Sequence, residues 1–148
     1  MDDSKDTNPK DRIGSTKLPL HLVPSTAIAL ASLGHLEGAV KYGKWNWRVA
    51  GIRFSVYLDA AMRHLAALEN GEDLDPDSGL PHEAHILACI NIIVDARVCG
   101  KLVDDRPPRI EIRKYLNDLT PHVTKILEKY KDRDPHDYSI FDTEPEDK

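Results

Sequence analysis

The chain has 148 residues, a net charge of −5, 41% hydrophobic and 30% charged side chains; this fits one soluble hydrophobic core, is too short for two full domains, and argues against global disorder. Beyond residue 130, seven acids face three bases, so the body is close to neutral and lacks the broad basic footprint of a duplex nucleic-acid binder. No apolar run approaches the roughly 18 residues of a membrane span, and the polar opening Met1-Asp-Asp-Ser-Lys-Asp-Thr-Asn does not read as a secretory signal.

Residues 1–12 are charged and read as a mobile arm, and 13–20 as a loop with apolar anchors. A helix is expected from Pro24-Ser25-Thr26, with proline in the first turn and a hydroxyl as cap. Its stripe is Ile28, Ala31, Leu33, Leu36, Ala39 and Val40, and Gly43 stops it. A second helix runs from about Arg53 to Leu68 with Val56, Ala60, Leu65 and Leu68 inward, ended by Asn70-Gly71. The third, from near Pro81 to Gly100, is apolar over most of its circumference and should be central. A fourth pattern, Ile112 to Leu127, contains Pro121, which predicts a break or kink at Thr120. The expected fold is all-α: a small bundle of about four main helices over residues 13–130, completed by a homo-oligomer, with a flexible acidic tail over 131–148. Cys89 and Cys99 lie about 15 Å apart along the third helix, too far for a disulfide, and read as buried free thiols of a reducing cytoplasm.

Two segments break the hydrophobic pattern with costly residues. In Lys41-Tyr42-Gly-Lys44-Trp45-Asn46-Trp47-Arg48 the aromatics suit a purine face, Lys44 and Arg48 suit phosphates, and Asn46 suits a base or sugar edge. The plainer reading is that these aromatics plug the end of the bundle and the cations are solvated. The second segment joins Arg63-His64 to the acidic turn Glu72-Asp-Leu-Asp-Pro-Asp-Ser-Gly79 and to His82-Glu-Ala-His85. The turn is no calcium loop, because Pro76 interrupts it, Gly79 comes one place late and no glutamate closes it. Asp75 and Asp77 still offer hard oxygens, and His82 and His85 share one face at a helix N-terminus. Asp59 and Arg63 are spaced to pair with each other. Asp95, costly in an apolar helix, reads equally as a site residue or as a partner of Arg97 or Asn91. No phosphate-binding Gly-rich loop, zinc pattern or nucleophile elbow is present, and His136-Asp137 lies in the charged tail with no helix to place it.

At these residues the chain resembles the N-terminal domain of phage dATP/dGTP diphosphohydrolases, over roughly residues 8–107. The stretches Asn8 to Leu20, Lys41 to Arg48, Asp59-Ala-Ala-Met-Arg-His64 and Gly71-Glu72 through His82 and His85 carry the likeness. The resemblance implies a purine deoxynucleoside triphosphate as ligand, Mg²⁺ or Mn²⁺ as cofactor, release of pyrophosphate, and kinship with MazG-like all-α pyrophosphohydrolases, which work as oligomers. Such enzymes hold metal with Glu-x-x-Glu and Glu-x-x-Asp pairs on adjacent helices, whereas Glu69-Asn-Gly-Glu72 here falls across a helix end.

The expected activity is therefore metal-dependent pyrophosphohydrolysis of a purine nucleotide. Glu37, Asp75, Asp77 and His85 are the expected metal ligands, and His64, Asp77 and His82 the catalytic groups. Lys41, Tyr42, Lys44, Trp45, Asn46, Trp47, Arg48 and Arg63 are the substrate contacts. The alternatives are a phage protein that sequesters a nucleotide signal without turnover, and a specificity subunit for a separate catalytic chain.

Overall fold

Small residues decide where the helices of this chain touch. The computed structural model describes residues 8–142. After a short helix α1 (Pro9–Gly14) and a 3₁₀ turn at Leu20–Leu22, three longer helices form the body: α2 (Ser25–Tyr42), α4 (Phe54–Glu69) and α5 (His82–Val98). As expected, α5 is central and packs against both α2 and α4. The α2–α5 seam consists of Ala31, Gly34, Ala84 and Ala88, all buried. It is tight enough that a Cβ on Gly34 would lie 2.4 Å from the Ala84 carbonyl oxygen.

Between α2 and α4 the chain makes one turn of helix, α3 (Trp47–Ala50), and a two-residue strand β1 (Ile52–Arg53). Strand β1 pairs in parallel with β2 (Leu102–Val103), Ile52 opposite Leu102 and Arg53 opposite Val103. So short a ladder leaves no alternating pattern, which is why the sequence gives no sign of it. Gly51 makes it possible: at φ 76° its Cα comes so near the Lys101 carbonyl that a Cβ would sit 2.8 Å away. Ile52, Ile93 and Ala96 form the buried cluster here, covered by Trp47, Phe54, Tyr57, Ile92 and Leu102.

Four local expectations are corrected. The hydroxyl cap on α2 is absent, since Pro24 takes the cap position and makes no side-chain bond. Val56 and Leu65 face outward, because the inner stripe of α4 is instead Phe54, Tyr57, Ala61, His64 and Leu68. Cys99 is exposed, although both thiols are free. Helix α6 (Ile112–Lys129) runs on through Pro121 without ending. It is solvent-exposed along its length, so the carbonyl that proline leaves without a donor can bond water, and Thr120 Oγ1 donates to the Leu116 carbonyl at 2.9 Å. Residues 9–12 of the expected arm are helical; residues 1–7 of the arm and 143–148 of the tail lie outside the described residues.

Many of the body's large side chains are left uncovered. Ile28, Leu33, Leu36 and Val40 of α2 and Ile90, Val94 and Val98 of α5 are exposed. On α6 the stripe Ile112, Tyr115, Leu116, Leu119, Val123, Ile126 and Leu127 is 43–66% exposed. Among the described residues, no helix is long and apolar enough to cross a membrane.

The tight seam gives a paired expectation. Gly34→Ala should lower Tm by roughly 5–10 °C, because its methyl meets backbone that cannot move aside cheaply. Gly38→Ala, with nothing within 4 Å of the new Cβ, should hold or raise Tm through helix propensity. Thermal unfolding followed by circular dichroism checks both.

Candidate functional site

His64 belongs to the inner stripe of α4, and that position aims its ring at the N-terminus of α5. There it meets His82, 2% exposed, with the two Nδ1 atoms 2.8 Å apart. On its other side the His82 ring faces Glu72, Nε2 to Oε1 2.9 Å. An acceptor-only carboxylate fixes the tautomer: His82 donates from Nε2, so its Nδ1 carries a lone pair and His64 Nδ1–H is the donor between the rings. The acidic turn is held beneath this pair by its own backbone. The Asp75 amide donates to the Leu80 carbonyl at 2.8 Å and the His82 amide to the Asp73 carbonyl at 3.1 Å.

Asp75 faces the same space, and one ligand atom each from His64, Asp75 and His82 lie within 4.8 Å of one another. Desolvation works against the Asp75 carboxylate, but hydrogen bonds from the Ser78 hydroxyl and amide, with His85 nearby, hold it below the usual carboxylate range. Ser78 Oγ also meets His85 Nε2 at 2.7 Å, and the His85 ring stacks on His64 with centroids 4.6 Å apart. Glu37 of α2 closes the group, its Oε2 3.5 Å from His85 Nδ1, and Lys41 pairs with Glu37. Burial lowers the pKa of His64, and the neighbouring His85 and His82 rings lower it further. A neutral imidazole is the form that ligates a metal.

The predicted site residues therefore fall into two groups. Glu37, Lys41, His64, Asp75, His82 and His85 come together, with Arg63 exposed beside His64. Asp77 does not join them: its side chain is exposed on the turn, and its backbone amide bonds the Asp75 carboxylate. Asp59 and Arg63 form no ion pair among the described residues. The aromatic–basic segment lies elsewhere. Trp47 Nε1 donates to Asp95 Oδ2 at 2.7 Å and Arg48 grips the same carboxylate with bonds of 2.8 and 2.9 Å. These contacts anchor the segment to α5, and Asp95 pairs with neither Arg97 nor Asn91. Trp45, the one non-glycine with positive φ among the described residues, lies under the Arg48 guanidinium at 4.4 Å.

Beside this anchor is a cavity of about 670 Å³ whose lining includes His35, Leu36, Lys44, Trp45, Asn91 and Val98. It lies round the helices from the histidine cluster. His85 and Val94 are nine residues apart, about 180° around α5, and Glu37 is about 200° from His35 around α2. Tyr42 is exposed at the end of α2, and Asn46 is half-buried in the turn before α3.

Glu72, Ser78 and His35 were missed from the sequence. Glu72 had a signal, since an acid bracketing a run that contains two histidines is a natural imidazole partner. His35, whose Nε2 accepts from Asn91 Nδ2 at 3.1 Å, had none.

Residues 7–106 match the sequence family described as dATP/dGTP diphosphohydrolase, N-terminal. The chain is also 44% identical over 69 residues to a Salmonella phage PMBT28 protein named dATP/dGTP diphosphohydrolase. That stretch is 47% of this chain and 23% of the phage protein, so the likeness spans less than a quarter of the relative's length. No solved structure matches the chain.

The Asp95 anchor sets a pH dependence. Hydrogen bonds from Arg48 and Trp47 hold its carboxyl at about 2, below the roughly 3.9 of an unfolded aspartate. A depressed carboxylate contributes stability that is full above about pH 4 and is lost as pH falls through about 2. Asp95→Asn should thus melt below wild type at pH 7, and the gap should close between about pH 4 and about pH 2 in thermal scans.

Proposed function

The chain belongs to the dATP/dGTP diphosphohydrolase N-terminal family, and from that premise we propose that it is a metal-dependent purine (deoxy)nucleoside triphosphate pyrophosphohydrolase. The observation that carries the reading is the convergence of His64, Asp75 and His82, within 4.8 Å, beside the cations Lys41 and Arg63. The site residues of this proposal are those the fold brings together. Water attacks the α-phosphorus, the bond to the bridging α–β oxygen breaks, and the products are a nucleoside monophosphate and pyrophosphate.

His64, Asp75 and His82 would hold a divalent ion, which would supply charge neutralisation and a more acidic water. The remaining work belongs to side chains. Arg63 and Lys41 stabilise charge that builds on the leaving pyrophosphate. His82, buried and engaged at both ring nitrogens, holds position and does not shuttle protons. His85, oriented through Ser78 by Asp75, is placed to take the proton of the attacking water. Tyr42, exposed at the end of α2 next to Lys41, is the aromatic offered to a purine ring.

Purified chain incubated with dATP, dGTP, ATP and GTP plus Mn²⁺ should give pyrophosphate and a monophosphate by chromatography, and chelator should abolish both. His64→Ala and Asp75→Asn should each reduce the rate at least 100-fold. Full activity in either variant overturns this site. Intact nucleotide that nonetheless raises Tm would establish a binding protein without turnover.

The assembly we propose is a homo-oligomer. The chain exposes 13194 Å², whereas a compact 16.6 kDa monomer exposes roughly 7,600 Å². The thirteen residues outside the described range, even counted as fully extended, supply at most about 2,100 Å² of the difference. Roughly 3,500 Å² remain, more than the roughly 1,000–2,500 Å² that each protomer of an obligate dimer covers. Helix α6 carries four bases against two acids and residues 25–103 seven against nine, so the α6 stripe suits a partner's body. Light scattering should give a multiple of the 16.6 kDa chain mass, and Leu119→Asp with Ile126→Asp should return it to one chain. A wild-type monomer at all concentrations would refute the assembly.

A further inference from the structure

We propose that the His64–Asp75–His82 cluster selects an imidazole-preferring transition ion, of the Fe²⁺, Co²⁺ or Zn²⁺ class, over Mg²⁺, and that Glu72 is its positioning residue. This rests on the reading of the cluster as the metal centre, but its test uses metal alone.

The donor set carries the first half. Magnesium is a hard ion that favours octahedral oxygen at about 2.0–2.1 Å and keeps much of its water. Two imidazole nitrogens and one carboxylate form a borderline set, for which affinity rises along the first transition row and the alkaline-earth ions come last. The spacing agrees. Ligands at about 2.1 Å around one ion lie roughly 3.0–4.2 Å apart in octahedral geometry, and one ligand atom from each of His64, Asp75 and His82 lies within 4.8 Å of the other two. The proton that His64 Nδ1 shares with His82 Nδ1 gives way to the ion as His64 takes its other tautomer.

Glu72 carries the second half. A ring nitrogen can ligate only with its lone pair inward, and an imidazole is otherwise free to present either tautomer. Glu72 removes the choice by accepting the Nε2–H of His82 at 2.9 Å, which leaves Nδ1 facing His64. A carboxylate behind a metal-binding imidazole fixes its orientation and raises its basicity, and losing one costs about 10–100-fold in affinity. The chain supports that geometry on both sides: His82 is 2% exposed and its amide is bonded to the Asp73 carbonyl, one residue from Glu72.

The experiment is titration of the metal-free full chain with Co²⁺, Zn²⁺, Mn²⁺ and Mg²⁺, each without nucleotide, by calorimetry, with the visible absorption of Co²⁺ as a direct report of its ligands. Co²⁺ and Zn²⁺ should bind at least 100-fold more tightly than Mg²⁺, and His64→Ala should change the Co²⁺ spectrum. Glu72→Gln should weaken Co²⁺ by about 10–100-fold while the metal-free protein keeps its Tm. Glu72→Asp, which keeps the charge but shortens the reach, should fall between the two and guards against misfolding of the glutamine variant. Mg²⁺ binding as tightly as Co²⁺, or no ion binding at all, overturns the ion assignment. Unchanged Co²⁺ affinity in Glu72→Gln overturns the positioning role. A chain that binds Co²⁺ as expected and leaves dATP intact would defeat the hydrolase reading alone. Hydrolysis in Mg²⁺ by a chain with no preference for Co²⁺ would defeat this inference alone.

Discussion

The contact on which the rest of the structure depends is the approach of α2 to α5 at Gly34 and Ala84. Without a side chain at 34, the two backbones come close enough that a Cβ would lie 2.4 Å from the Ala84 carbonyl oxygen. The residues on either side of that crossing are then fixed in space by helix geometry. One turn on from Gly34, Glu37 reaches His85, and one residue on, His35 reaches Asn91. A larger residue at the crossing would push α2 outward and separate Glu37 from the imidazoles while leaving each helix intact. The close contact therefore serves the site as much as it serves stability, because it brings an acid of α2 to a histidine cluster built by α4 and α5.

The architecture was legible in the sequence to the extent that it depends on local signals. Gly43, the Asn70-Gly71 pair and Gly100 end helices, and the expected boundaries of α2, α4 and α5 fall within one or two residues of those observed. Which apolar residues lie inside was much less legible. Periodicity identifies a stripe, but here the helices meet through alanine and glycine, so Leu33, Leu36, Val56 and Leu65 are left outside. The inner stripe of α4 passes through His64, a polar residue that hydrophobic patterning skips. A histidine on the buried face between Ala61 and Leu68 was thus the signal for the site, legible only once the register of α4 was known.

The two chemically rich segments look in the sequence like parts of one site, and the fold separates them. Trp47 and Arg48 satisfy Asp95, a carboxylate that would otherwise be costly on α5. Neither partner is predictable from spacing, since they lie 47 and 48 residues away in the chain. This answers the question of why an apolar central helix tolerates an aspartate. It also changes the meaning of the aromatic–basic motif, whose Arg48 is already neutralised and whose Trp47 helps cover the Ile52–Ile93–Ala96 cluster. Lys44 and Trp45 line the cavity, while Lys41 pairs with Glu37 at the histidine cluster.

The departure at Glu69-Asn-Gly-Glu72 can now be understood physically. A Glu-x-x-Glu pair along a helix puts both carboxylates on one face and makes an oxygen-rich centre suited to magnesium. Here α4 ends at Glu69, the chain turns through Asn70 and Gly71, and Glu72 leaves in a different direction, toward His82. The same four letters therefore yield one carboxylate directed at an imidazole, not two directed at an ion. The turn that disrupts the helical pair also carries Asp75 into position, held by the Leu80 carbonyl through its backbone amide. Local chain geometry thus gives, instead of paired helical carboxylates, a cluster in which imidazole nitrogens from α4 and α5 meet the carboxylate of Asp75.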